Sequence, residues 1–348
     1  MDNKMMEQRK GIAIAGSIIL DFVKTVDSYP EVGMLANIKS VTQSAGGCVV
    51  NTGIDLAVLD SELPIYAIGR VGNDEAGKFL TDKLQQQGLN IDRVKISDTA
   101  PTSFSDVISL VSGERTFFAC RGANAEFSPE DVDIQSLECR ILHIGYILLL
   151  DVFDQSDSQY GTVMARFLHD LQERGIKTSI DTVSDSTGNF AAKVIPALRY
   201  CDYVIINEIE CCNIWNLPAR DEKGHLQEDN IRLAMSKVME QGVREKVIVH
   251  CPEAGFCLEH SGQFTKVPSF VILKEEIKGK VGAGDAFCAG SLYGLYHQFS
   301  DEQILEFAAA TAACSLLEEG STLGTSNKEA VLDIIKRRKK IANLRALV

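Results

Sequence analysis

The sequence predicts an α/β fold with a central, mainly parallel β-sheet flanked by helices. Short apolar runs, typical of buried strands, alternate along the chain with stretches of helical periodicity, and the connections between them are short. Strand, helix and strand in succession form the unit that builds a parallel sheet covered on both faces. The predicted strands are Ile12–Gly16, Pro64–Gly69, Ile141–Gly145, Thr178–Asp181, Tyr203–Asn207 and Lys246–Cys251. The predicted helices are Val49–Leu59, Asp74–Gln87, Tyr160–Arg174, Phe190–Arg199 and Asn230–Gln241.

Two segments interrupt this alternation. Asp21–Ser44 lacks helical periodicity and contains both proline and glycine. Ser103–Cys120 has the pattern of two strands around Ser112-Gly113-Glu114, which favours a hairpin. We expect both segments to leave the main sheet and form a small β lid, drawn from about residues 21–44 and 101–124. The alternative, that each is a local excursion with no shared role, stays open.

Composition narrows the class of protein. The chain has 348 residues, 45% of them hydrophobic, and no linker rich in Pro, Gly or Ser divides it, so we expect one domain over residues 1–348. The net charge of −13 argues against nucleic acid as the main partner. No apolar run approaches the length of about 18 residues that a membrane span needs. The ten cysteines form no Cys-x-x-Cys pair and the N-terminus has no signal-peptide pattern, so the expected compartment is the cytoplasm.

The most informative motif is Gly282-Ala283-Gly284-Asp285, which is followed by a run of small and apolar residues. Its glycines allow backbone amides to turn toward an anion, and a helix that begins here adds the positive end of its dipole. The carboxylate of Asp285 could then accept a proton from an attacking hydroxyl. This combination favours phosphoryl transfer. The alternative is an ordinary glycine loop in which Asp285 is only a first-turn helix residue.

Two further segments carry groups suited to a polyol. Gly46 and Gly47 permit close approach of the backbone to a ligand, and Asn51 adds a donor and an acceptor for hydroxyls. Asp21 follows the first predicted strand, where a carboxylate could bind two hydroxyls. The structural alternatives are a glycine turn, a helical asparagine and a turn aspartate.

Asn207 and Glu210 end a predicted strand and stand three residues apart. Such a pair suits water-mediated binding of Mg²⁺ near phosphates; the alternative, which the pair taken alone favours, is a capping box that begins a helix. The six histidines show no metal-ligand spacing, so no metal site made by protein ligands alone is predicted, and His143 is expected to be a core or pocket histidine.

The order of these motifs resembles that of the PfkB family of carbohydrate kinases, also called the ribokinase-like family. A Gly-Ser…Asp strand exit is followed by Gly-Gly-x-x-x-Asn, Gly-x-x-Gly-x-Asp-x-x-Gly, Asn-x-x-Glu and Gly-Ala-Gly-Asp-Ala-Phe. The resemblance extends from about Gly11 to Thr325. It implies a ribokinase-like fold with a β lid over the sugar, ATP as the phosphoryl donor and Mg²⁺ as the bridging ion.

The resemblance also implies roles for residues at matching positions. Asp285 resembles the catalytic base, and Gly282, Ala283 and Gly284 resemble the anion hole for the transferring phosphoryl group. The residues that resemble the sugar-binding set are Asp21, Gly46, Gly47 and Asn51, with Asn124 after the second lid hairpin approaching the substrate. Asn207 and Glu210 resemble the pair that organises Mg²⁺ and phosphate.

The chain departs from the family pattern at two places. Gly279 and Lys280 stand where members often have Asp-Thr, and that aspartate commonly helps to hold a monovalent cation, so potassium activation is doubtful. His250–Gly255 stands where members often have Thr-x-Gly-x-x-Gly, and only the last glycine is kept. We therefore expect different nucleotide contacts in this segment.

The function expected from these observations is ATP-dependent phosphorylation of a sugar hydroxyl, with a small-molecule sugar and ATP as partners. A nucleoside kinase and a catalytically weak sugar-binding regulator stay open as alternatives. A sugar-phosphate kinase is disfavoured because Cys48 stands where such members often carry lysine. A nicotinamide oxidoreductase is disfavoured because no Gly-x-Gly-x-x-Gly follows the first strand. A homodimer formed through the lid is one assembly to test.

Overall fold

A computed structural model describes residues 9–110, 114–183, 190–279, 281–318 and 327–341. The strands, in chain order, are β1 (Ile12–Ala15), β2 (Ile19–Val26), β3 (Ile38–Gly46), β4 (Ile65–Gly72), β5 (Asn90–Ser97), β6 (Phe104–Leu110), β7 (Arg115–Cys120), β8 (Ile141–Ile147), β9 (Ser156–Asp157), β10 (Gly161–Thr162), β11 (Lys177–Thr182), β12 (Tyr203–Asn207), β13 (Lys246–His250), β14 (Ala254–Glu259) and β15 (Phe264–Pro268). The α-helices are α1 (Cys48–Leu59), α2 (Glu75–Gln86), α3 (Val163–Glu173), α4 (Phe190–Leu198), α5 (Glu208–Asn213), α6 (Glu228–Glu240), α7 (Ala283–Tyr296), α8 (Asp301–Leu316) and α9 (Lys328–Arg337).

Nine strands form one large sheet in the order β15-β14-β13-β12-β11-β8-β1-β4-β5. The run from β13 to β5 is parallel, and β14 and β15 extend it with antiparallel pairings at one edge. The predicted central, mainly parallel sheet is therefore confirmed. All its parallel strands have their carboxyl ends at the same edge, which is where ligands bind in open α/β sheets.

Two apolar cores cover the two faces of this sheet. Ile12 and Ile14 of β1 pack in the core that includes residues of α1, α7 and α8. Ala13 and Ala15, the intervening residues of the same strand, pack in the core that includes residues of α3, α4 and α6. Because successive side chains of a strand point to opposite faces, a strand buried on both faces is apolar throughout. This is why the short apolar runs predicted the central strands.

The two interrupting segments form a separate four-stranded sheet in the order β3-β2-β6-β7. β2 and β3 are antiparallel, as are β6 and β7, while β2 and β6 pair in parallel and join the two segments. The predicted small sheet is thus confirmed, and we call it the lid sheet below. Ser112 and Gly113 of the predicted hairpin turn lie outside the described residues. The residue limits given for a lid subdomain stay a prediction.

One predicted helix begins later than expected. The helix predicted from Tyr160 starts at Val163, because Gly161–Thr162 pairs with Ser156–Asp157 in a two-stranded sheet. The Thr162 hydroxyl then caps the helix by accepting a hydrogen bond from the Ala165 amide at 3.1 Å.

Among the residues that the structure describes, no helix has both the length and the apolar character required to cross a membrane.

Candidate active site

A cavity of about 220 Å³ opens at the carboxyl edge of the large sheet. Strands β8, β11, β12 and β13 end at its wall, and the first turn of α7 completes it. The lining residues are Tyr146, Asp181, Thr182, Val183, Ile205, Ile206, Asn207, Glu210, His250, Gly284, Asp285 and Cys288. The cavity therefore contains the predicted base Asp285, the predicted Mg²⁺ pair and part of the predicted anion hole.

The predicted glycine motif does begin a helix. Gly282 is the N-cap residue of α7 and has a φ of 86°, in the left-handed region that favours glycine. Ala283, Gly284 and Asp285 follow in the first turn, where helix amides have no intrahelical acceptor and the dipole is positive. The local geometry thus suits an anion next to Asp285.

Two side chains hold the Asp285 carboxylate in place. The Tyr146 hydroxyl donates to both carboxylate oxygens, at 3.0 Å to Oδ1 and 3.1 Å to Oδ2. Asn51 Nδ2 donates to Oδ2 at 3.0 Å. Asn51 lies on α1 and Tyr146 on β8, so two elements distant in sequence fix the orientation of this carboxylate on a third.

The environment of Asp285 makes it a stronger base than an exposed carboxylate. Burial, and then the neighbouring charge of Asp181, raise the pKa of Asp285 to about 6, while the hydrogen bonds from Asn51 and Tyr146 lower it. At neutral pH the carboxylate is mostly ionised. Its pKa is also close to the working pH, which is the condition for efficient proton transfer by a general base.

The lid sheet brings Asp21 against the Gly46–Gly47 turn. A Cβ atom placed on Gly46 would lie 2.6 Å from Asp21 Oδ2, so the carboxylate touches this glycine and would have to move if residue 46 carried a side chain. Gly47 has a φ of 88° and packs against the carbonyl of Ser17, and it is the N-cap of α1, which carries Asn51. Asp21 and Asn51 are therefore both positioned from this turn.

Asn124 has a structural position at the base of the lid sheet. Its Oδ1 accepts a hydrogen bond from the Ile18 amide at 3.3 Å, and its own amide donates to Ser103 Oγ at 2.9 Å. These contacts link the residue that precedes β2 to the residue that precedes β6, and so join the two lid segments at their starts. A direct contact of Asn124 with substrate stays a prediction.

Asn207 and Glu210 form the capping box considered as the structural alternative. Asn207 Oδ1 accepts from the Glu210 amide at 2.8 Å, and Glu210 Oε2 accepts from the Asn207 amide at 3.2 Å. Both residues also line the cavity. The cap therefore places a carboxylate and an amide on the cavity wall, and a role near Mg²⁺ is compatible with it.

His250 is a cavity residue without an assigned role in the sequence patterns. Its ring stacks on Phe287 with centroids 4.8 Å apart, and burial lowers its pKa to about 4, so the imidazole is neutral at physiological pH. A Cβ placed on Gly284 would lie 3.5 Å from His250 Cε1, so the ring faces the glycine motif.

The segment after His250, where the family glycine is missing, is fixed by an ion-pair network. Arg220 donates to both carboxylate oxygens of Glu253, at 2.7 and 2.8 Å, and to Glu208 Oε1 at 2.8 and 3.0 Å. Both carboxylates are buried, and a bidentate guanidinium contact is geometrically specific. This network ties the β13–β14 turn to the start of α5, beside the cavity.

Several proteins of known name are similar to this chain. A ribokinase of Arabidopsis thaliana is 24% identical over 330 residues, which are 93% of this chain and 81% of that protein. An ATP-dependent ribose-1-phosphate kinase of Halopiger xanaduensis is 26% identical over 308 residues, 88% of this chain and 92% of that protein. A probable chloroplastic fructokinase-6 of Arabidopsis thaliana is 25% identical over 332 residues, 91% of this chain and 80% of that protein.

Solved structures share the fold. Arabidopsis thaliana ribokinase complexed with ribose and ATP superimposes with a TM-score of 0.78 at 21% identity, covering 94% of this chain and 99% of that one. A nucleoside kinase of Methanocaldococcus jannaschii, a member of the ribokinase family, gives 0.75 at 17% identity, covering 95% and 99%. At such identities the likeness shows the fold alone, and it confirms the ribokinase-like architecture predicted from the motifs.

The family model for pfkB family carbohydrate kinases matches residues 9–328, nearly the whole chain. This match confirms the resemblance drawn from the order of the motifs, and with it the expected class of enzyme, an ATP-dependent phosphotransferase with an alcohol group as acceptor. The chain belongs to the pfkB family of carbohydrate kinases.

Proposed function

We propose that this protein phosphorylates a hydroxyl of a small sugar with ATP, using Asp285 as the general base. The observation that carries the proposal is the placement of Asp285. It lies in the first turn of α7, beside a glycine N-cap, at the wall of a cavity where the parallel strands end. A base and an anion-binding helix terminus thus stand side by side, as phosphoryl transfer requires.

In the proposed reaction, Asp285 accepts the proton of the attacking sugar hydroxyl. The hydroxyl oxygen forms a bond to the γ-phosphorus as the bond from that phosphorus to ADP breaks. Tyr146 and Asn51 hold the carboxylate in one orientation through their hydrogen bonds. Because burial raises its pKa to about 6, the carboxylate is ionised at neutral pH and is still basic enough to accept the proton of the sugar hydroxyl.

The amides of Gly282–Gly284 are proposed to stabilise the charge that develops on the transferring phosphoryl oxygens. The first turn of α7 supplies amides without helical acceptors, and the left-handed φ of Gly282 sets their direction. Asn207 and Glu210 would hold Mg²⁺ through its waters, and the ion would neutralise phosphate charge. Their oxygens fit that role because Mg²⁺ prefers few carboxylates and several waters, and the pair lines the same cavity as Asp285.

The sugar is proposed to bind between Asp285 and the lid sheet. Asp21 and Asn51 offer a carboxylate and an amide for adjacent hydroxyls, and both are positioned at the Gly46–Gly47 turn. Closure of the lid sheet over this turn would exclude water, which would otherwise compete with the sugar for the phosphoryl group.

A sugar is favoured over the other acceptor classes. Relatives of this chain are named ribokinase, fructokinase and deoxyribokinase. A sugar phosphate is the second candidate, because one relative is a ribose-1-phosphate kinase. The two side chains proposed to bind the sugar, Asp21 and Asn51, carry no positive charge, which disfavours an acceptor that carries its own phosphate. The hydrogen bonds from Tyr146 and Asn51 that orient the Asp285 carboxylate disfavour the remaining alternative, a catalytically weak sugar-binding regulator.

The substrate class can be tested with one assay. Free sugars, nucleosides and sugar phosphates are each incubated with the full chain, ATP and Mg²⁺, and release of ADP is measured. We expect turnover with a free sugar and a loss of that turnover in Asp285→Asn. Turnover confined to nucleosides would move the assignment to the nucleoside alternative. Sugar binding without turnover in the unmodified chain would support the regulator.

We also propose that the lid sheet contacts a second copy of this chain. Exposed apolar side chains are concentrated on it and on the loop that joins β2 and β3, among them Val32, Leu35, Val41, Phe117 and Phe118. An apolar patch of this kind marks an interaction surface, and continuity with the substrate-covering sheet fits a symmetric lid-to-lid contact.

A further inference from the structure

A buried group of thiol, imidazole and carboxylate side chains lies behind the cavity wall, close to Asp285. Cys48 begins α1, His143 lies in β8 and Asp181 lies near the end of β11. One potential ligand atom from each lies within 4.8 Å of the other two. Cys48 and His143 are completely buried, and Asp181 is 8% exposed. The reaction proposed above uses none of these three groups directly.

Two distances from His143, one to Asp181 and one to the neighbouring thiol of Cys288, match those between ligands of a tetrahedral ion. His143 Nε2 lies 3.4 Å from Asp181 Oδ2 and 3.6 Å from the Sγ atom of Cys288. A tetrahedral zinc ion with ordinary bond lengths separates a nitrogen from an oxygen ligand by about 3.4 Å and from a sulfur ligand by about 3.6 Å. His143 is therefore spaced from two of its neighbours as two ligands of one ion would be.

Contacts outside the cluster orient its members toward one another. His143 Nδ1 lies 2.9 Å from Ser179 Oγ, so a proton on Nδ1 leaves the lone pair of Nε2 directed into the cluster. The Tyr146 amide donates to Asp181 Oδ1 and leaves Oδ2 toward the histidine. A Cβ placed on Gly145 would lie 2.1 Å from Cys48 Sγ, so the glycine makes the space that the thiol occupies.

We propose that Cys48, His143 and Asp181, with Cys288 beside His143 as the candidate fourth ligand, form a binding site for a thiophilic divalent cation of the zinc class. Sulfur and imidazole ligands select such an ion over Mg²⁺, which prefers oxygen. Each thiol that coordinates the ion loses its proton to solvent. Asp181 and Cys288 also line the active-site cavity, which provides the route by which the ion enters. The sequence predicted no such site because the ligands come from four distant segments with no short spacing.

The ion would be coupled to the proposed base. Cys288 follows Asp285 by three residues on α7, so both side chains project from one turn of the helix. Asp181 accepts a hydrogen bond from the backbone amide of Tyr146, and the side-chain hydroxyl of Tyr146 donates to Asp285. Occupation of the site would therefore fix the first turn of α7 and the tyrosine together.

Cobalt is the probe that tests the ligand set. The full chain, reduced and freed of metal by a chelator, is titrated with Co²⁺. We expect one ion per chain, a near-ultraviolet thiolate-to-cobalt charge-transfer band and strong visible bands typical of tetrahedral cobalt, all removed by addition of Zn²⁺. Absence of binding, or binding without the thiolate band, overturns the proposal.

Variants identify the site. Cys48→Ala and His143→Gln should each weaken Co²⁺ binding by at least about tenfold, and Ser179→Ala by about 10–100-fold, the range for loss of an outer partner of a ligand. Cys139→Ala is the matched control, since Cys139 is an equally buried thiol in the other core and should leave binding unchanged. Binding that is unchanged in Cys48→Ala contradicts the proposal.

A measurement on the unmodified chain covers the case in which a variant does not fold. An ion that binds only the folded state raises the midpoint of thermal unfolding, and the rise grows with the logarithm of the ion concentration above its Kd. We expect Zn²⁺ at micromolar concentration to raise the midpoint and Mg²⁺ at the same concentration to leave it unchanged. No rise with Zn²⁺ overturns the proposal.

Discussion

Tyr146 donates one hydrogen bond shared between the two carboxylate oxygens of Asp285, at 3.0 and 3.1 Å. The backbone of Tyr146 has a φ of 64°, which is costly for a residue with a side chain, and its amide donates to Asp181. Tyr146 thus keeps a costly backbone conformation in which its amide contacts Asp181 and its hydroxyl contacts Asp285, two carboxylates of the cavity. A role of this residue in the function of the site would explain that cost. Its effect on the proposed base leads to the first prediction.

Tyr146→Phe should move the acid limb of the activity profile to higher pH. The hydroxyl stabilises the ionised form of Asp285 and so lowers its pKa from the value that burial alone would give. Loss of a hydrogen bond to a charged group is worth about 1.5–3 kcal/mol, so the limb should move up by about one to two pH units. The measurement is kcat/KM against pH, which reports groups of the free enzyme.

Tyr203→Phe is the control for this experiment. Tyr203 is also buried and donates to a carboxylate, Glu245, at 2.7 Å, but it lies at the amino end of β12, away from the cavity. Its removal should leave the acid limb in place. An unchanged profile in Tyr146→Phe would show that Asp285 is not the group that titrates.

Asp285→Asn should lower kcat by at least about a hundredfold without loss of stability, because the base is removed while its neighbours can still be satisfied. Asn51 Oδ1 is buried and has no hydrogen-bond partner in the described structure. Rotation of that amide by half a turn would let it accept from the new asparagine. Turnover close to that of the unmodified chain would refute the assignment.

The sign of the stability change follows from the raised pKa of Asp285, about 6. The folded state binds this proton more tightly than the unfolded state, so stability from this group is complete at low pH and is lost as pH rises toward and through 6. An asparagine cannot ionise. We therefore expect the thermal midpoint of Asp285→Asn to equal or exceed that of the unmodified chain at pH 7, with a smaller difference at pH 4.5. A lower midpoint at pH 7 would contradict this reasoning.

The sequence predicted Asp285 and Asn51 as site residues but not Tyr146 or Asp181, for a physical reason. The glycines, the helix start and the carboxylate of α7 are adjacent in sequence, so local chemistry identifies them. Tyr146 and Asp181 come together only through the register of β8 and β11, which shifts between Ile180 and Thr182. A register between distant strands, and the irregularity within it, are not encoded in any short motif.

The fold, like the site, was predicted in part: the central strands of the large sheet were found from the sequence and its edge strands were not. Central strands are buried on both faces and appear as apolar runs, so they were found. β5, an edge strand with mostly exposed or half-buried side chains, and the antiparallel pair β14–β15 at the other edge were not predicted. An edge strand is stabilised by one neighbour and faces solvent, so its sequence carries a weaker periodic signal.

Asp21→Ala and Asn51→Ala should each weaken sugar binding. Each substitution leaves hydroxyls of the ligand without a partner, at a cost of roughly 1–3 kcal/mol, or about 5- to 150-fold in affinity. The measurement is calorimetry with the sugar that supports turnover. Asp27→Ala is the control, because Asp27 follows the same strand but is exposed and pairs with Lys39. Unchanged affinity in both test variants would remove Asp21 and Asn51 from the binding site.

The lid sheet should hold two copies of the chain together. We expect a dimer by sedimentation velocity, and a monomer when Leu35 and Phe117, which are 83% and 64% exposed, are both replaced by lysine. Two charges on a closely packed apolar contact are costly to desolvate. Leu233→Lys is the control, because Leu233 is an exposed leucine on α6, outside the lid sheet. A chain that is monomeric across the concentration range would exclude this assembly.

Activity should depend little on potassium. Gly279 stands where the family often has an aspartate that helps to hold a monovalent cation, and a glycine can offer such an ion only its backbone carbonyl. The neighbouring Lys280 lies outside the described residues; by charge alone, an ammonium there would supply part of the electrostatic effect of the missing ion.

The test is kcat with potassium replaced by a large organic cation at constant ionic strength and saturating Mg²⁺. We expect little change in the unmodified chain and a gain of potassium dependence in Gly279→Asp, which restores a carboxylate ligand. Gly279→Asn is the matched control, because it adds a side chain of similar size without the charge. A severalfold rise in kcat when potassium is added to the unmodified chain would contradict the prediction, because other oxygens of the loop would then have to complete the cation site without the aspartate.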